Sequence, residues 1–375
     1  MKQFAIIFFI ILCIYAAVHF YLYNRVCLAV APSPEAKRYI FGAIIVLAVS
    51  FVGGMLLERA FSSTLSGIVF RIGVWWLPFL LYALLAIVAV DVLRLCNYFF
   101  HFLPQFSLQT TRIFAAGVAI VITGIVILGH INATRTQIIT IPLRIHKSVA
   151  GAKHIRIAMA SDIHFGTIIN RSWEEKLVRL LQEQNPDLIV LCGDIVDSDI
   201  APVIRHKIGD HLQTLTPPLG VYAVFGNHEY IGGIEKTRAY FKEINLPVLT
   251  DSVVELPNGI QLVGRNDRSS HKQRPLDSLM QTIDHTKPII VLNHQPFDLN
   301  EAVAQQVDLH LSGHTHAGQL FPFNLITNAL FELSRGYLQK GNSHFYVSSG
   351  LGTWGPNVRV GNRPEIVVFE VGFDE

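Results

Sequence analysis

The chain has 375 residues, 51% hydrophobic and only 15% charged, with a net charge of +2. That length exceeds one small domain, and the absence of a basic stripe interleaved with aromatics excludes a nucleic-acid surface. Four scattered cysteines, Cys13, Cys27, Cys96 and Cys192, form neither a disulfide framework nor a CxxC metal site.

The net charge hides a division near residue 131. Up to that point there are 8 Lys/Arg and 3 Asp/Glu; beyond it there are 22 and 25. Residues 4–23, 40–57, 72–92 and 113–131 are apolar runs, each near the roughly 20 residues that cross a bilayer. The first lacks a small-residue cleavage site and three more follow, so it is a span rather than a signal peptide. Residues 1–131 are thus expected to be an all-α region of four transmembrane helices. The expected address is the cell (inner) membrane. About five basic residues in the odd loops against six on the terminal side leave the orientation undetermined. Asp91 beside Arg94 fits an interfacial ion pair, and His19, His101 and His130 fit interfacial positions. Trp75 and Trp76 fit an aromatic belt. Gly53-Gly54, Gly117 and Gly124 fit close helix packing.

Residues 132–153 form a linker with a leading strand, TQIITIPLRI (136–145). In the remainder, 154–375, strands and helices alternate. HIRIAMA is a strand. Ser172-Trp-Glu-Glu175 resembles a capping box opening a helix with Trp173, Leu177, Leu180 and Leu181 on its apolar face. LIVLC follows as a strand, so the pair is parallel with a right-handed crossover. Strands are expected at 221–225, 289–292, 307–311, 344–347 and 365–371, and helices at 234–244, 276–283 and 299–306. Asn258-Gly259 marks a hairpin. His310 alternates within its strand as a packed residue. Two sheets packed face to face under flanking helices accommodate this mixture.

Five of the apolar runs break into metal-ligand types just past the strand: SDIH, GDIV, GNHE, HQPF and GHTH. They deliver Asp162, His164, Asp194, Asn227, His228, His294, His314 and His316. Open α/β sheets build their sites at such strand ends. Residues i and i+2 share a strand face, so Asp162/His164 and His314/His316 can converge on one ion. Oxygen and imidazole donors without thiolate suit Mn, Fe, Zn, Co or Ni. Two such ions would clamp attacking and leaving oxygens and supply hydroxide at neutral pH.

DIH, GD, GNHE, a later single His and GHTH, in that order, resemble the calcineurin-like metallophosphoesterase superfamily over residues 156–371. The resemblance implies a four-layer α/β/β/α sandwich. It implies Asp162, His164 and His316 at a first metal, Asp194 as the bridging and catalytic carboxylate, and Asn227, His294 and His314 at a second. It implies that His228 is a catalytic residue contacting the phosphate and protonating the leaving group. The spans, GHTHAGQ and SSGLGTWGPNVRVGNRPEI are similar to the membrane-linked bacterial, YkuE-like branch. There the chain departs at Gly264-Arg-Asn-Asp267 and at Ala317-Gly318. Arg359 is expected to approach the substrate phosphate, with a structural salt bridge as the alternative. Arg265 and Asp267 are further candidate substrate residues, with a surface ion pair as theirs.

The expected activity is hydrolysis of a phosphomonoester, phosphodiester or pyrophosphate by a metal-bridged hydroxide. The membrane address points to a lipid-linked or envelope substrate. A non-catalytic scaffold on the same fold is the alternative, disfavoured because every ligand position is filled.

Overall fold

A computed structural model describes residues 2–61, 63–151 and 153–374. It divides into two compact units, Met1–Gly129 and His130–Glu375.

The first unit is helical: α1 (Lys2–Val30), α2 (Pro34–Phe61), α3 (Thr64–Phe100) and most of α4 (Leu108–Ala133). All four helices contain a stretch long and apolar enough to cross a membrane. Leu22, Ile44 and Leu80 centre the packing of α1, α2 and α3. A Cβ at Gly54 would lie 2.6 Å from the Phe70 backbone, so α2 and α3 touch there through the absence of a side chain. Gly117 and Gly124 meet nothing within 4 Å and do not serve that purpose. His19 is buried, and the Trp76 indole donates to its Nε2 at 2.9 Å. Trp76 thus satisfies a buried imidazole of another helix. Asp91 pairs with Arg25 at 2.6 Å as well as with Arg94 at 3.7 Å.

The second unit holds β1 (Gln137–Ile145), β2 (His154–Ala160), α5 (Arg171–Glu183), β3 (Leu188–Cys192), α6 (Ala201–His206), β4 (Val221–Val224), α7 (Asn227–Gly232), α8 (Ile234–Glu243) and β5 (Val248–Leu249). There follow β6 (Ser252–Glu255), β7 (Gln261–Gly264), α9 (Leu276–Met280), β8 (Ile289–Leu292), α10 (Leu299–Ala304), β9 (Leu309–Ser312), α11 (Phe323–Leu330), β10 (Gly336–Lys340), β11 (Ser343–Val347) and β12 (Glu365–Phe373). One sheet runs β1-β12-β2-β3-β4-β5 and the other β10-β11-β9-β8-β7-β6. The leading strand is a full sheet member, parallel to β12 from Gln137↔Glu365 to Ile145↔Phe373.

Three buried clusters make four layers. Met159, Val190 and Cys192 of the first sheet meet Leu262, Ile290 and Leu311 of the second between the sheets. Ala158, Ile189 and Leu191 face α5 and α8 on one outer side. Val263, Val291 and Phe345 face α9 and α10 on the other. Strands buried on both faces read as continuous apolar runs, which is why LIVLC and IIVL are so hydrophobic. Helix α5 begins one residue before the expected cap: the Asn170 side chain accepts from Ser172 N at 3.1 Å, so Asn170 is the N-cap.

Within each sheet the strands that precede the polar breaks are parallel, β2-β3-β4 and β7-β8-β9. Their C-terminal ends lie along one edge of the sandwich, and there the breaks meet.

Candidate metal centre

Leaving β2, the chain turns through Asp162 and His164, both with left-handed backbone (φ 51° and 55°). Asp194 after β3 has φ 49°, and His314 and His316 after β9 have φ 74° and 48°. Each such non-glycine residue stores roughly 1–3 kcal/mol of strain, a cost that persists where the surrounding fold over-determines the site. The restraint is visible in the backbone: Asp162 N bonds Gly193 O at 3.0 Å and His164 N bonds Asp194 O at 2.9 Å.

The side chains converge. Ligating atoms of Asp162, His164 and His316 lie within 4.8 Å of one another, as do those of His164, Asp194 and His228, and those of Asp194, His294 and His314. Asn227 joins the last group, its Oδ1 at 3.2 Å from His294 Nε2. The eight residues expected from the strand-end breaks therefore occupy one site, with Asp194 common to two groups.

The protonation states suit cations. Burial pushes His164 and His314 down to about 4 and His316 well below its ordinary value. These imidazoles are neutral, the ligating form. His164 Nε2 and His316 Nε2 face each other at 2.9 Å, and His164 Nδ1 is buried without a hydrogen-bond partner. Burial would raise Asp194, but the adjacent His294 holds its carboxyl well below the usual carboxylate range. Burial lifts Asp162 to about 6 against the pull of His294. His294 sits 2.9 Å from Cys192 O through Nδ1, which directs Nε2 to the centre. Burial opposes charge on His294, but the Asp194 carboxylate raises its pKa well above the ordinary value, so a cation at Asp194 would take the place of that proton. Three neutral imidazoles, a deprotonated carboxylate and strained, buried loops make a donor set that divalent cations fit.

His228 is held differently. Its Nδ1 lies 3.0 Å from Asp197 Oδ1 and 2.9 Å from Ser198 Oγ. Burial opposes charge on this ring, but the Asp197 hydrogen bond together with the charges of Asp194, Asp197 and Glu229 outweighs it and raises the pKa. The Trp354 ring stands 6.5 Å from it.

Several supporting residues were not anticipated. Glu229, fully buried, accepts from the backbones of Asp194, Val196 and Gly226. Ser161 Oγ donates to Asp162 at 2.5 Å. Glu229 stood in the GNHE motif, and Asp197 lies three residues past Asp194, the only sequence signals for them.

The three expected substrate residues are tied into the framework. Arg359 is fully buried and donates to Ser349 O, Gly350 O, Gly352 O and Asn362 Oδ1. Arg265 bonds Glu301 and Arg274 O. Asp267 accepts twice from Gln295, at 3.0 and 2.9 Å.

Residues 155–318 match the profile of the family described as calcineurin-like phosphoesterase. An uncharacterized metallophosphoesterase of Aquifex aeolicus is 33% identical over 224 residues, 58% of this chain and 85% of that protein. One of Helicobacter pylori is 33% identical over 213 residues, covering 55% of this chain and only 57% of its own. A transmembrane protein with metallophosphoesterase domain of Danio rerio is 29% identical over 266 residues, 66% of this chain and 60% of its own. Taken with the site, these likenesses establish that the chain belongs to the calcineurin-like phosphoesterase family.

Proposed function

We propose that this chain is an integral-membrane phosphoester hydrolase working with two divalent cations, drawn from Mn, Fe, Zn, Co or Ni. The observation that carries the reading is that Asp194 falls in one cluster with His294 and His314 and in another with His164, which is itself grouped with Asp162 and His316. Asp162, His164 and His316 would hold one cation; Asn227, His294 and His314 the other; Asp194 would serve both. Bound there, the cations supply Lewis acidity toward phosphate oxygens and water. His228, its Nδ1 fixed by Asp197 and its pKa raised, holds a proton for the leaving oxygen. The four apolar helices support a membrane address, in a bacterial setting the cell (inner) membrane, and with it a lipid-linked phosphoester as the favoured substrate class.

The test is Asp194→Asn in the full chain. Bound metal, by elemental analysis, and hydrolysis of bis(p-nitrophenyl) phosphate should fall together. Unchanged hydrolysis in that variant overturns the assignment. Wild-type protein that keeps its metal yet hydrolyses neither mono- nor diesters would be a scaffold.

A further inference from the structure

The 3-10 turn at His316–Gly318 leads into a stretch that the metal centre does not use. From 317 to 331 no residue is ionisable. Helix α11 lies within this stretch and has no buried residue. Phe321, Phe323, Leu325, Ile326 and Leu330 are between 40% and 67% exposed. An apolar cluster of this kind on a charge-free helix marks a contact surface.

The excursion is fastened to the metal centre at both ends. At its start, Gly318 follows His316 with φ 77°, and a Cβ there would strike the backbone of Phe323 and Asn324. At its end, the Phe331 ring packs edge-on against His314 at 5.9 Å, and Thr315 Oγ1 donates to Ser334 O at 2.5 Å. Trp354, 60% exposed beside His228, is joined to the same stretch because Gln319 Nε2 donates to its carbonyl at 2.9 Å.

What covers this surface is indicated by its neighbours. Residues 130–133, the last turn of α4, belong to this unit. Asn132 Nδ2 donates to Arg359 O at 3.0 Å and Asn362 O at 2.6 Å, and His130 Nδ1 lies 2.8 Å from Asn357 O. Val360 in turn exchanges backbone bonds with Gln319 and Phe321, both at 2.9 Å. One hydrogen-bonded band therefore runs from the last turn of an apolar helix to the root of α11. A chain carrying four bilayer-length helices keeps this unit permanently at a membrane surface, where even weak apolar contact is effectively intramolecular.

We propose that α11, with Phe321 and Trp354, seats in the bilayer surface as an interfacial helix forming the lipid-side rim of the metal cleft. Resting on the hydrolase reading above, this makes the substrate a phosphoester of a membrane amphiphile, delivered with its apolar part still in the bilayer.

The unmodified full chain, in nanodiscs of phosphatidylethanolamine and phosphatidylglycerol doped with a phosphatidylcholine carrying a diazirine near its headgroup, provides the first test. Illumination should leave adducts on peptides covering 320–331 and Trp354 as well as on the spans; adducts confined to 2–133 overturn the proposal. The second uses a nitroxide on Leu325→Cys, with Cys13, Cys27 and Cys96 replaced by alanine and Cys192 left buried. Collisions with a soluble nickel chelate should fall about tenfold relative to a label on Arg179→Cys, as for a side chain below the headgroups. Equal accessibility overturns the proposal, as does protection accompanied by dipolar broadening that disappears on dilution with unlabelled chain, which would place a second copy there. Neither test uses catalysis. A chain that hydrolyses nothing can still report docking, and one that hydrolyses a soluble diester with α11 unlabelled keeps the hydrolase reading and loses this one.

Discussion

The Glu229 carboxylate holds the backbone on either side of the Asp194 side chain: it accepts from Asp194 N at 3.2 Å, Val196 N at 3.0 Å and Gly226 N at 2.6 Å. Burial, with Asp194 nearby, lifts Glu229 to about 7. A carboxylate costly to bury is thus kept to fix the loop that carries the shared ligand.

Glu229→Ala should strand these three N–H groups, each costing roughly 1–3 kcal/mol. We expect lower thermal stability and weaker metal retention together, measured by melting with and without added Mn²⁺ and by elemental analysis. A variant with wild-type melting and metal content would show that the carboxylate restrains nothing.

Gly313→Ala probes the closeness of the two sheets' edges. A Cβ there would collide with Ser161 Oγ and Asp162 Oδ2, and Asp162 also receives His314 N at 2.9 Å. The first cluster should be pushed apart, and metal-dependent hydrolysis should fall by roughly tenfold or more, as for loss of a residue that orients ligands. Titration of activity against Mn²⁺ reads the shift; an unshifted curve means that the edges yield.

Much of this was legible in the sequence because a strand buried on both faces leaves an uninterrupted apolar run, and its end is marked when the run breaks. Asp162, Asp194 and His294 were found that way. Glu229 and Ser161 were not, because a carboxylate bonded to backbone N–H groups leaves no spacing pattern. Arg359 gave a cation near a phosphate site, and only the fold reveals the carbonyls of Ser349, Gly350 and Gly352 that its two terminal nitrogens reach. The pairing of His19 with Trp76 was hidden for a related reason: 57 residues separate them. The short pieces β5, β10 and α11 carry too few residues for periodicity to declare them.

His310 makes a pH prediction. It is 3% exposed against Phe345, and burial, aided by Arg265, pushes its pKa down to about 3. The unfolded chain then binds this proton near pH 6.5 while the folded chain refuses it, so stability contributed by neutral His310 is present above about pH 6.5 and lost as pH falls toward 3. The full span is worth on the order of 5 kcal/mol. His310→Leu should flatten that part of the acid limb in a melting series from pH 7 to pH 4, and an unchanged difference between wild type and variant across the series would refute it.

Arg359 separates positioning from substrate contact. Burial pushes its guanidinium down to about 10, so it stays charged at neutral pH. Its Nη2 reaches Gly350 O at 3.1 Å and lies 3.5 Å from His316 Nδ1, while Leu351 N and Gly352 N bond Ser161 O and Asp162 O, both at 2.8 Å. The guanidinium therefore fastens the 349–352 segment against the loop bearing Asp162. Lysine keeps the charge but cannot span two rows of carbonyls with a single nitrogen. In Arg359→Lys, metal affinity should fall by about 10–100-fold, the usual cost of losing a residue behind a ligand. Saturating Mn²⁺ should then restore most of kcat/KM toward a soluble diester, because the residue touches the metal site and not the phosphate. A kcat/KM that stays low at saturating metal, with KM raised, would instead place Arg359 on the substrate.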